Sequence, residues 1–451
     1  MEKKNTWETY SSKQLKELEK INAQYRDFLD NGKTERECID TIVNTIEKSG
    51  YCELESLIKE GAALKTGDKV YSVWMNKSIA MFQIGRKPMT DGMNILGAHI
   101  DSPRLDVKQN PLYEDGGFAY LDTHYYGGVK KYQWVTIPLA IHGVIVKKDG
   151  TCVEINIGEN EDDPVFFVSD LLIHLAQEQL EKKAAKVIEG EALDIIVGNK
   201  PLLIDKKDKK KDEKEAGKEA VKAGVLDILK ETYDIHEEDF VSAELEIVPA
   251  GKAREAGFDR SMTLAYGQDD RVCAYTSMQA MLDSDVTDRT MCCILVDKEE
   301  IGSVGATGMQ SHFFENAVAE VMNLAGEYSE LNVRRCLAHS CMLSSDVSSA
   351  FDPTYASSFD KKNVAYLGGG MVINKFTGAR GKSGSNDANA EYLAHLRHIF
   401  DKAEVNFQTA ELGKVDLGGG GTIAYILALY GMNVIDSGVA VLNMHAPWEI
   451  I

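Results

Sequence analysis

The sequence predicts a mixed-sheet α/β/α domain that is interrupted by a β-rich insertion. Before about residue 104 and again after about residue 249, short apolar runs alternate with helical stretches, as in a doubly wound sheet. Between these regions the chain carries short β-like runs and turn signals instead. Since the two flanking regions look alike and the middle does not, we assign residues 1–104 and 249–451 to one domain and 105–248 to the insertion.

The composition is that of a globular protein and disfavours two classes of partner. The 451 residues include 71 acidic and 50 basic side chains, a net charge of −21, which argues against nucleic acid or an anionic membrane as partner. No apolar run approaches the roughly 18 residues of a membrane span, and the first residues show no secretory signal. Eight cysteines without a CxxC pair indicate reduced thiols, so we expect a cytoplasmic protein.

The elements of the first hundred residues are predicted from apolar spacing and from one cap. Thr34 and Glu37 match a capping box and predict the start of a second helix. The apolar run Met93–Ala98 predicts a strand that ends at His99. The first helix is predicted from apolar residues at helical spacing, namely Leu15, Leu18, Ile21, Tyr25 and Phe28.

The insertion is predicted from two β-like runs, Trp134–Val146 and Thr151–Ile157. It also contains a run of mixed charge at about 205–222. The signs in that run are too balanced for a tail that binds nucleic acid, so it predicts a solvated loop or an exposed helix without chemistry.

Several apolar runs of the flanking regions are followed by His, Asp or Glu. His99 ends one run, Asp297–Glu300 follow a second, Asp346 follows the run around Cys336–Leu343, and His445 ends VAVLNM. Because ligands of open α/β sheets bind beyond the carboxyl ends of the strands, these residues are expected to meet at one site. The segment YGQDDR adds two more carboxylates, Asp269 and Asp270.

Two histidines and three carboxylates suit two divalent cations, with zinc, cobalt or manganese favoured by imidazole and carboxylate ligands. Five ligands fill two metal shells only if one carboxylate bridges. Two metals can hold a water between them and polarise a carbonyl, and a further carboxylate is then needed as the general base. Glu299 and Glu300 can supply a ligand and a base, because adjacent side chains on an irregular turn diverge.

A plainer interpretation competes with the metal site. A single histidine after an apolar run is more often structural, and a Glu-Glu pair is usually surface charge. Asp269, Asp270 and Arg271 are also compatible with a helix cap and a surface ion pair. The shared position of His99, Glu299, Glu300, Asp346 and His445 after predicted strands favours the metal site.

Seven segments, in order along essentially the whole chain, together resemble the aspartyl aminopeptidase family of dinuclear zinc enzymes. The glutamyl-aminopeptidase-like family has similar DDR and EEIG motifs but lacks the SPRLDVK and SSDVSSAFDPTY forms, so it ranks second. The segments are GAHIDSPRLDVK (97–108), YGG (126–128), DDR (269–271), DKEEIGSVGATG (297–308), SSDVSSAFDPTY (344–355), GGGGTIA (418–424) and NMHAPWE (443–449).

The resemblance implies five metal ligands. His99 and Asp346 would complete one metal site, and Glu300 and His445 the other. Asp269 would bridge the two metals. Each of these positions matches the family's motif in this sequence.

The resemblance also implies two residues that act beside the metals. Glu299 would be the general base that deprotonates the water between the metals. Asp101 would orient the imidazole of His99, since such partners fix the tautomer and raise the basicity of a ligand.

Assembly and specificity are implied by the resemblance as well. The insertion would be a dimerisation domain, and dimers would form a tetrahedral dodecamer whose sites face a chamber. Eukaryotic family members favour acidic N-terminal residues, and the family normally continues into a closing helix beyond the position of Ile451. Candidates for a residue donated by a neighbouring subunit are His124, Asp170 and His174, and candidates for the basic residue that recognises acidic substrates are Lys375, Arg380 and Lys382.

Three functions are compatible with the sequence. The first is a metal aminopeptidase acting on peptides with a free N-terminus. The second is another dinuclear-metal amide hydrolase, such as a deacylase. The third is a non-catalytic shell protein, against which Glu299 beside Glu300 argues, because a scaffold has no physical need for that pair.

Overall fold

A computed structural model describes residues 5–202, 219–378 and 380–451. The chain divides into two compact units. The first unit comprises 1–102, 253–444 and 449–451, and the second comprises 103–252 and 445–448. Most of the charged run predicted at 205–222 lies outside the described residues.

The helices of the described residues are distributed over both units. The α-helices are α1 (Ser12–Asp30), α2 (Glu35–Glu47), α3 (Leu54–Glu60), α4 (Gln177–Leu180), α5 (Ala184–Val187), α6 (Ala220–Tyr233), α7 (Gln268–Asp283), α8 (Phe313–Leu324), α9 (Glu330–His339), α10 (Ala390–Lys402) and α11 (Ala424–Ala428). Short 3-10 helices cover Thr6–Glu8, Met89–Asp91, Lys131–Gln133, Ile173–Leu175, Gly190–Ala192, Glu237–Ser242, Glu299–Ile301 and Pro353–Ser358.

The strands of the described residues are short, and most belong to two sheets. They are β1 (Cys52–Glu53), β2 (Lys69–Trp74), β3 (Ser78–Gln83), β4 (Asn94–His99), β5 (Arg104–Asp115), β6 (Phe118–Tyr126), β7 (Leu139–Val146), β8 (Cys152–Ile157), β9 (Ile195–Gly198), β10 (Ala243–Pro249), β11 (Arg254–Ala256), β12 (Met262–Ala265), β13 (Met291–Val296), β14 (Cys341–Ser345), β15 (Ser348–Ser349), β16 (Met371–Asn374), β17 (Phe407–Thr409), β18 (Asn433–Gly438), β19 (Ala440–Val441) and β20 (Glu449–Ile450).

The first unit is built on a nine-stranded mixed sheet in the order β1-β2-β3-β13-β4-β14-β18-β16-β17. Its four central strands, β13, β4, β14 and β18, run parallel. Strands β3 and β16 flank them in antiparallel pairing. The carboxyl ends of β13, β4 and β14 therefore lie at one edge of the sheet, which is where a doubly wound sheet places its ligands.

Both faces of this sheet are covered by helices, so the predicted mixed-sheet α/β/α class is confirmed. Along β13 the side chains alternate, with Ile294 in a core that includes Phe314 of α8. Leu295 instead packs in a second core, with Ile39 of α2 and Tyr275 of α7. A central strand buried on both faces explains the continuous apolar run MCCILV in the sequence.

The first two helices follow the prediction closely. Helix α1 begins after a capping box formed by Ser11 and Gln14. Helix α2 begins after the predicted capping box, in which Thr34 accepts from the backbone of Glu37. Tyr25 and Phe28 of α1 are buried, whereas Ile21 is 48% exposed, so the apolar face turns toward the core only near the end of the helix.

The second unit contains a six-stranded sheet in the order β8-β7-β10-β5-β6-β9, with antiparallel pairing throughout. The predicted run Trp134–Val146 forms a strand only from Leu139, because a 3-10 helix over Lys131–Gln133 and an irregular segment precede it. The predicted run at 151–157 is the strand β8.

Two strand predictions next to the site were wrong. Of the run around Cys336–Leu343, Cys336 to His339 belongs to α9, and the strand begins at Cys341. The run VAVLNM does not enter the large sheet: only Ala440 and Val441 form a strand, which pairs with β15. The fourth parallel strand is instead β18, whose Asp436 interrupts the apolar pattern.

Among the helices that the structure describes, none is both long enough and apolar enough to cross a membrane.

Candidate active site

Three neighbouring parallel strands carry candidate residues at their carboxyl ends. His99 is the last residue of β4. Glu299 and Glu300 open the 3-10 helix that follows β13, and Asp346 comes directly after β14. The backbone N–H of Asp346 donates to the carbonyl of Ser437 at 2.7 Å, which fixes this residue against the neighbouring strand.

Asp269 reaches the same edge from α7, which packs against β4. Asp269, Asp270 and Arg271 are all buried. Arg271 donates to the carbonyl of Gly32 and to Oγ of Ser102, and no part of the DDR segment is a surface ion pair. The interpretation of DDR as an exposed helix cap is therefore wrong.

His99 lies at the centre of the cluster. Its ring is 2% exposed, and Nδ1 donates to the carbonyl of Asp101 at 3.0 Å. Because Nδ1 carries the proton, Nε2 keeps its lone pair for a metal ion. Nε2 lies 3.2 Å from Oδ1 of Asp269 and 3.9 Å from Oε2 of Glu299.

The predicted ligands of the first unit converge in two overlapping groups. One ligand atom each from His99, Asp269 and Asp346 lies within 4.8 Å of the others, and the same holds for His99, Glu299 and Glu300. Imidazole nitrogen with carboxylate oxygens is the donor set of zinc and related divalent ions. The residues present thus fit a divalent metal.

Crowding of negative charge is the main electrostatic feature of this cluster. Loss of solvation and the nearby carboxylates of Asp269, Asp270 and Glu299 raise the pKa of Asp346 well above its usual value. Burial lowers the pKa of His99, but contacts with Asp101 and Asp269 outweigh it and raise that pKa overall. A bound cation would relieve the repulsion among these carboxylates.

Asp101 holds the turn that carries the two glutamates. The backbone N–H of Glu299 donates to its Oδ1 and that of Glu300 to its Oδ2, each at 3.1 Å. The carboxylate also lies 3.3 Å from Nδ1 of His99. Asp101 therefore contacts both the imidazole, as expected, and the backbone of the glutamate turn, which sequence reasoning did not foresee.

His445 belongs to the second unit. Its Nδ1 donates to the carbonyl of Gly128 at 3.0 Å, which leaves Nε2 as the ring's acceptor atom. A Cβ atom on Gly128 would lie 3.2 Å from this Nδ1, so the glycine of the YGG motif lets the ring approach.

Sequence reasoning missed two residues that support Asp269. Oγ of Ser102 donates to the carbonyl of Asp269 at 3.0 Å. The buried carboxylate of Glu449 accepts the backbone N–H of Asp269 at 2.9 Å. Ser102 lies in the segment GAHIDSPRLDVK and Glu449 in the segment NMHAPWE. The sequence signal for these two residues was that both segments extend beyond the predicted ligands.

The fold and this site together define a class, the metal-dependent hydrolases built on an α/β/α sheet with ligands at the carboxyl edge. A family model described as aminopeptidase I zinc metalloprotease (M18) matches residues 28–451. The chain therefore belongs to the M18 peptidase family and is a metal-dependent aminopeptidase.

Individual relatives agree along the whole chain. A probable M18 family aminopeptidase 1 of Clostridium acetobutylicum is 63% identical over 449 residues, covering 100% of this chain and 94% of its own. The crystal structure of an M18 aminopeptidase from Thermotoga maritima, 44% identical, superimposes with a TM-score of 0.93 over 100% of this chain and 95% of that one. The S. cerevisiae mApe1 dodecamer shares the fold, with a TM-score of 0.75 at 19% identity over 96% of this chain and 93% of its own.

Proposed function

We propose that this enzyme removes the N-terminal residue of peptides with the help of two divalent cations. The observation that carries the proposal is the convergence of His99, Asp269, Asp346, Glu299 and Glu300, whose ligand atoms form two groups within 4.8 Å. Two overlapping groups that share His99 suit a pair of neighbouring ions better than a single one.

In this proposal His99 and Asp346 hold one ion, Glu300 and His445 hold the other, and Asp269 bridges them. The support for His445 is its matching motif position and a ring whose Nδ1 is already engaged by Gly128. Zinc is the preferred ion because the family is described as a zinc metalloprotease, and cobalt and manganese accept the same donors. When bound, the ions would polarise the scissile carbonyl and lower the pKa of a water between them.

Glu299 acts as the general base. Its side chain is 14% exposed, so it reaches the space above the ligands, and its Oε2 lies beside His99. The carboxylate takes a proton from the attacking water and returns it to the leaving amine. Asp101 keeps the backbone of Glu299 in place while this transfer occurs.

A preference for acidic N-terminal residues rests on Arg380. Lys375 and Lys382 both pair with Asp387, at 2.6 and 2.8 Å, so their charges are already compensated. Arg380 lines a cavity of about 320 Å³, whose other charged lining residues are Lys382, Lys414, Glu411 and Asp416. Guanidinium groups bind carboxylates in a bidentate manner, so Arg380 is the strongest of the three candidates.

Self-assembly is supported by an exposed apolar segment of the second unit, 165–180. Its large apolar side chains include Leu172, Ile173 and Leu175, exposed by 54, 67 and 67%. Contiguous exposed apolar surface of this kind marks an interaction site. We infer that it contributes to a dimer interface, and that dimers build a tetrahedral dodecamer.

The exposed segment 165–180 also favours His174 among the candidates for a residue donated to a neighbouring subunit. His174 is exposed within the 3-10 helix Ile173–Leu175, between two of the exposed apolar residues. Asp170, in contrast, accepts hydrogen bonds from Leu171 and Gln179 of its own segment.

The eight cysteines are all free thiols, which supports the cytoplasmic location expected from the sequence.

The function is tested with a panel of aminoacyl chromogenic substrates and short peptides, each with a free or an acetylated α-amine. The panel is run on protein freed of metal and then supplied with zinc, cobalt or manganese. Metal-dependent release confined to free N-termini is the expected result. Equal hydrolysis of the acetylated substrates would indicate a deacylase, and no release from protein that carries two ions per chain would indicate a shell protein.

A further inference from the structure

The turn that carries Glu299 and Glu300 is held by two carboxylates that accept three consecutive backbone N–H groups. Lys298 N–H donates to Oδ1 of Asp297 at 2.7 Å. The next two N–H groups donate to Asp101 at 3.1 Å each. The direction of both glutamate side chains therefore depends on both aspartates.

The conformation of this turn needs such support. Lys298 has a φ of 67°, in the left-handed region that side chains other than glycine rarely adopt, and Gly302 closes the turn with a φ of 95°. Without the acceptor on Asp297, the backbone at Lys298 would relax toward a more common conformation. Such a change would move Glu299 next to it.

Asp297 is in turn fixed from several sides. Its side chain is fully buried, and its Oδ2 accepts from Oγ of Thr307 at 2.5 Å and lies 3.4 Å from Nζ of Lys298. Glu35, which is 1% exposed in the first turn of α2, is an acidic group close enough to raise its pKa. Asp101 is the other acidic group that faces it.

Burial raises the pKa of Asp297 to about 7, and the charges of Glu35 and Asp101 contribute to that rise. The position of the carboxylate is fixed by its two hydrogen bonds, one from the Lys298 N–H and one from the Thr307 hydroxyl.

We propose that Asp297 is a positioning residue, which holds the Lys298–Glu300 turn in the geometry that catalysis requires by accepting the Lys298 N–H while Thr307 fixes its other oxygen. This inference rests on the proposed role of Glu299 as general base. The effect of Asp297 passes through the backbone of the turn. Because small misplacements of reacting groups cost large factors in rate, kcat is the sensitive quantity.

The test compares Asp297→Ala with Asp297→Asn in the full-length, zinc-loaded enzyme. The alanine variant is expected to lower kcat by about 100-fold with KM changed by less than about threefold. The asparagine variant is expected to stay within about tenfold of wild type, because its Oδ1 can still accept from Lys298 although its amide nitrogen no longer accepts from Thr307. Hydrogen exchange of the 298–301 amides is measured alongside and should rise only in the alanine variant.

The matched control is Asp239→Ala. Asp239 is also a buried aspartate, and it accepts the backbone N–H of His236 at 2.9 Å in a turn without candidate site residues. The control should lose stability but keep kcat. If Asp297→Ala does not fold, Thr307→Val against Thr307→Ser makes the same comparison, because serine keeps the hydroxyl that donates to Asp297.

Each result bears on a different claim. Near-normal kcat and exchange in Asp297→Ala would overturn the positioning role. An equal loss in Asp297→Ala and Asp297→Asn would overturn the role of Oδ1 as the acceptor that holds the turn. If wild type itself hydrolyses no peptide while exchange of the turn still responds to Asp297→Ala, the proposed function fails and the positioning of the turn stands.

Discussion

Asp101 and Glu299 are separated by 198 residues in the sequence, yet the carboxylate of Asp101 accepts the backbone N–H of Glu299 at 3.1 Å. The same carboxylate lies 3.3 Å from the ring of His99. The positions of a proposed metal ligand and of the proposed base therefore both depend on contacts with one buried carboxylate. A displacement of Asp101 would therefore move both His99 and Glu299.

Glu299→Gln is expected to lower kcat by about 10²- to 10⁴-fold, because the amide cannot accept the proton of the attacking water. Zinc content should stay unchanged, since Glu300 remains the ligand. Steady-state kinetics and elemental analysis of the same preparation check this. A variant with near-normal activity would remove Glu299 from the role of base.

His445→Ala is expected to lower the zinc content by one ion per chain. Gly128→Ala should act on the same ion in a milder way, because its Cβ would lie 3.2 Å from Nδ1 of His445 and displace the ring. Loss of such an orienting contact typically weakens metal affinity by about 10- to 100-fold. Elemental analysis after dialysis measures both, with His312→Ala as an exposed histidine control. Unchanged occupancy in His445→Ala would exclude it as a ligand.

Arg380→Ala is expected to reduce kcat/KM for substrates with N-terminal Asp or Glu by about 10-fold or more relative to Leu, since a charge-assisted hydrogen bond contributes about 1.5–3 kcal/mol. Lys375→Ala serves as control, because that lysine pairs with Asp387 and does not line the cavity. Equal effects of both variants on all substrates would argue against selective recognition by Arg380.

Ile173→Glu combined with Leu175→Glu is expected to dissociate the assembly, because burying two new carboxylates in an apolar interface is costly. Light scattering after size-exclusion chromatography gives the molar mass directly. Val241→Glu, at another exposed apolar position of the same unit, is the control and should leave the mass unchanged. An unchanged mass of the double variant would move the interface elsewhere.

Asp436 predicts a defined pH dependence of stability. Burial raises its pKa from 3.8 to about 7 in the folded state. Below pH 3.8 both states hold the proton and no penalty exists. As the pH rises toward 7, the unfolded state ionises first, so the free energy of unfolding falls by about 4 kcal/mol and then levels off. Urea unfolding of wild type and Asp436→Asn at pH 5 and 8 should show a smaller pH difference for the variant, and equal differences would contradict the assignment.

The site residues that directly follow strands could be predicted from the sequence. His99 and the glutamate pair come after apolar runs that do form β4 and β13, because those strands are buried on both faces and leave a continuous apolar signal. The same rule misled at VAVLNM, where most of the apolar run packs outside the large sheet. An apolar run in the sequence indicates that the segment is buried, but it does not indicate which sheet the segment joins.

The supporting residues were beyond sequence reasoning for a different reason. Glu35 stands at the first position of α2, where an acidic residue is usually explained by the helix dipole. Its effect on the pKa of Asp297 depends on how α2 packs against the sheet. Tertiary packing of this kind leaves no periodicity in the chain.

The hydrogen bond between Asp269 and Glu449 also links the support of the proposed site to the order of synthesis. The two residues are 180 positions apart. At a translation rate of roughly 5–20 residues per second, about 10–40 s pass between the synthesis of Asp269 and that of Glu449. A nascent chain on the ribosome therefore holds Asp269 without its carboxylate support until residue 449 has been added.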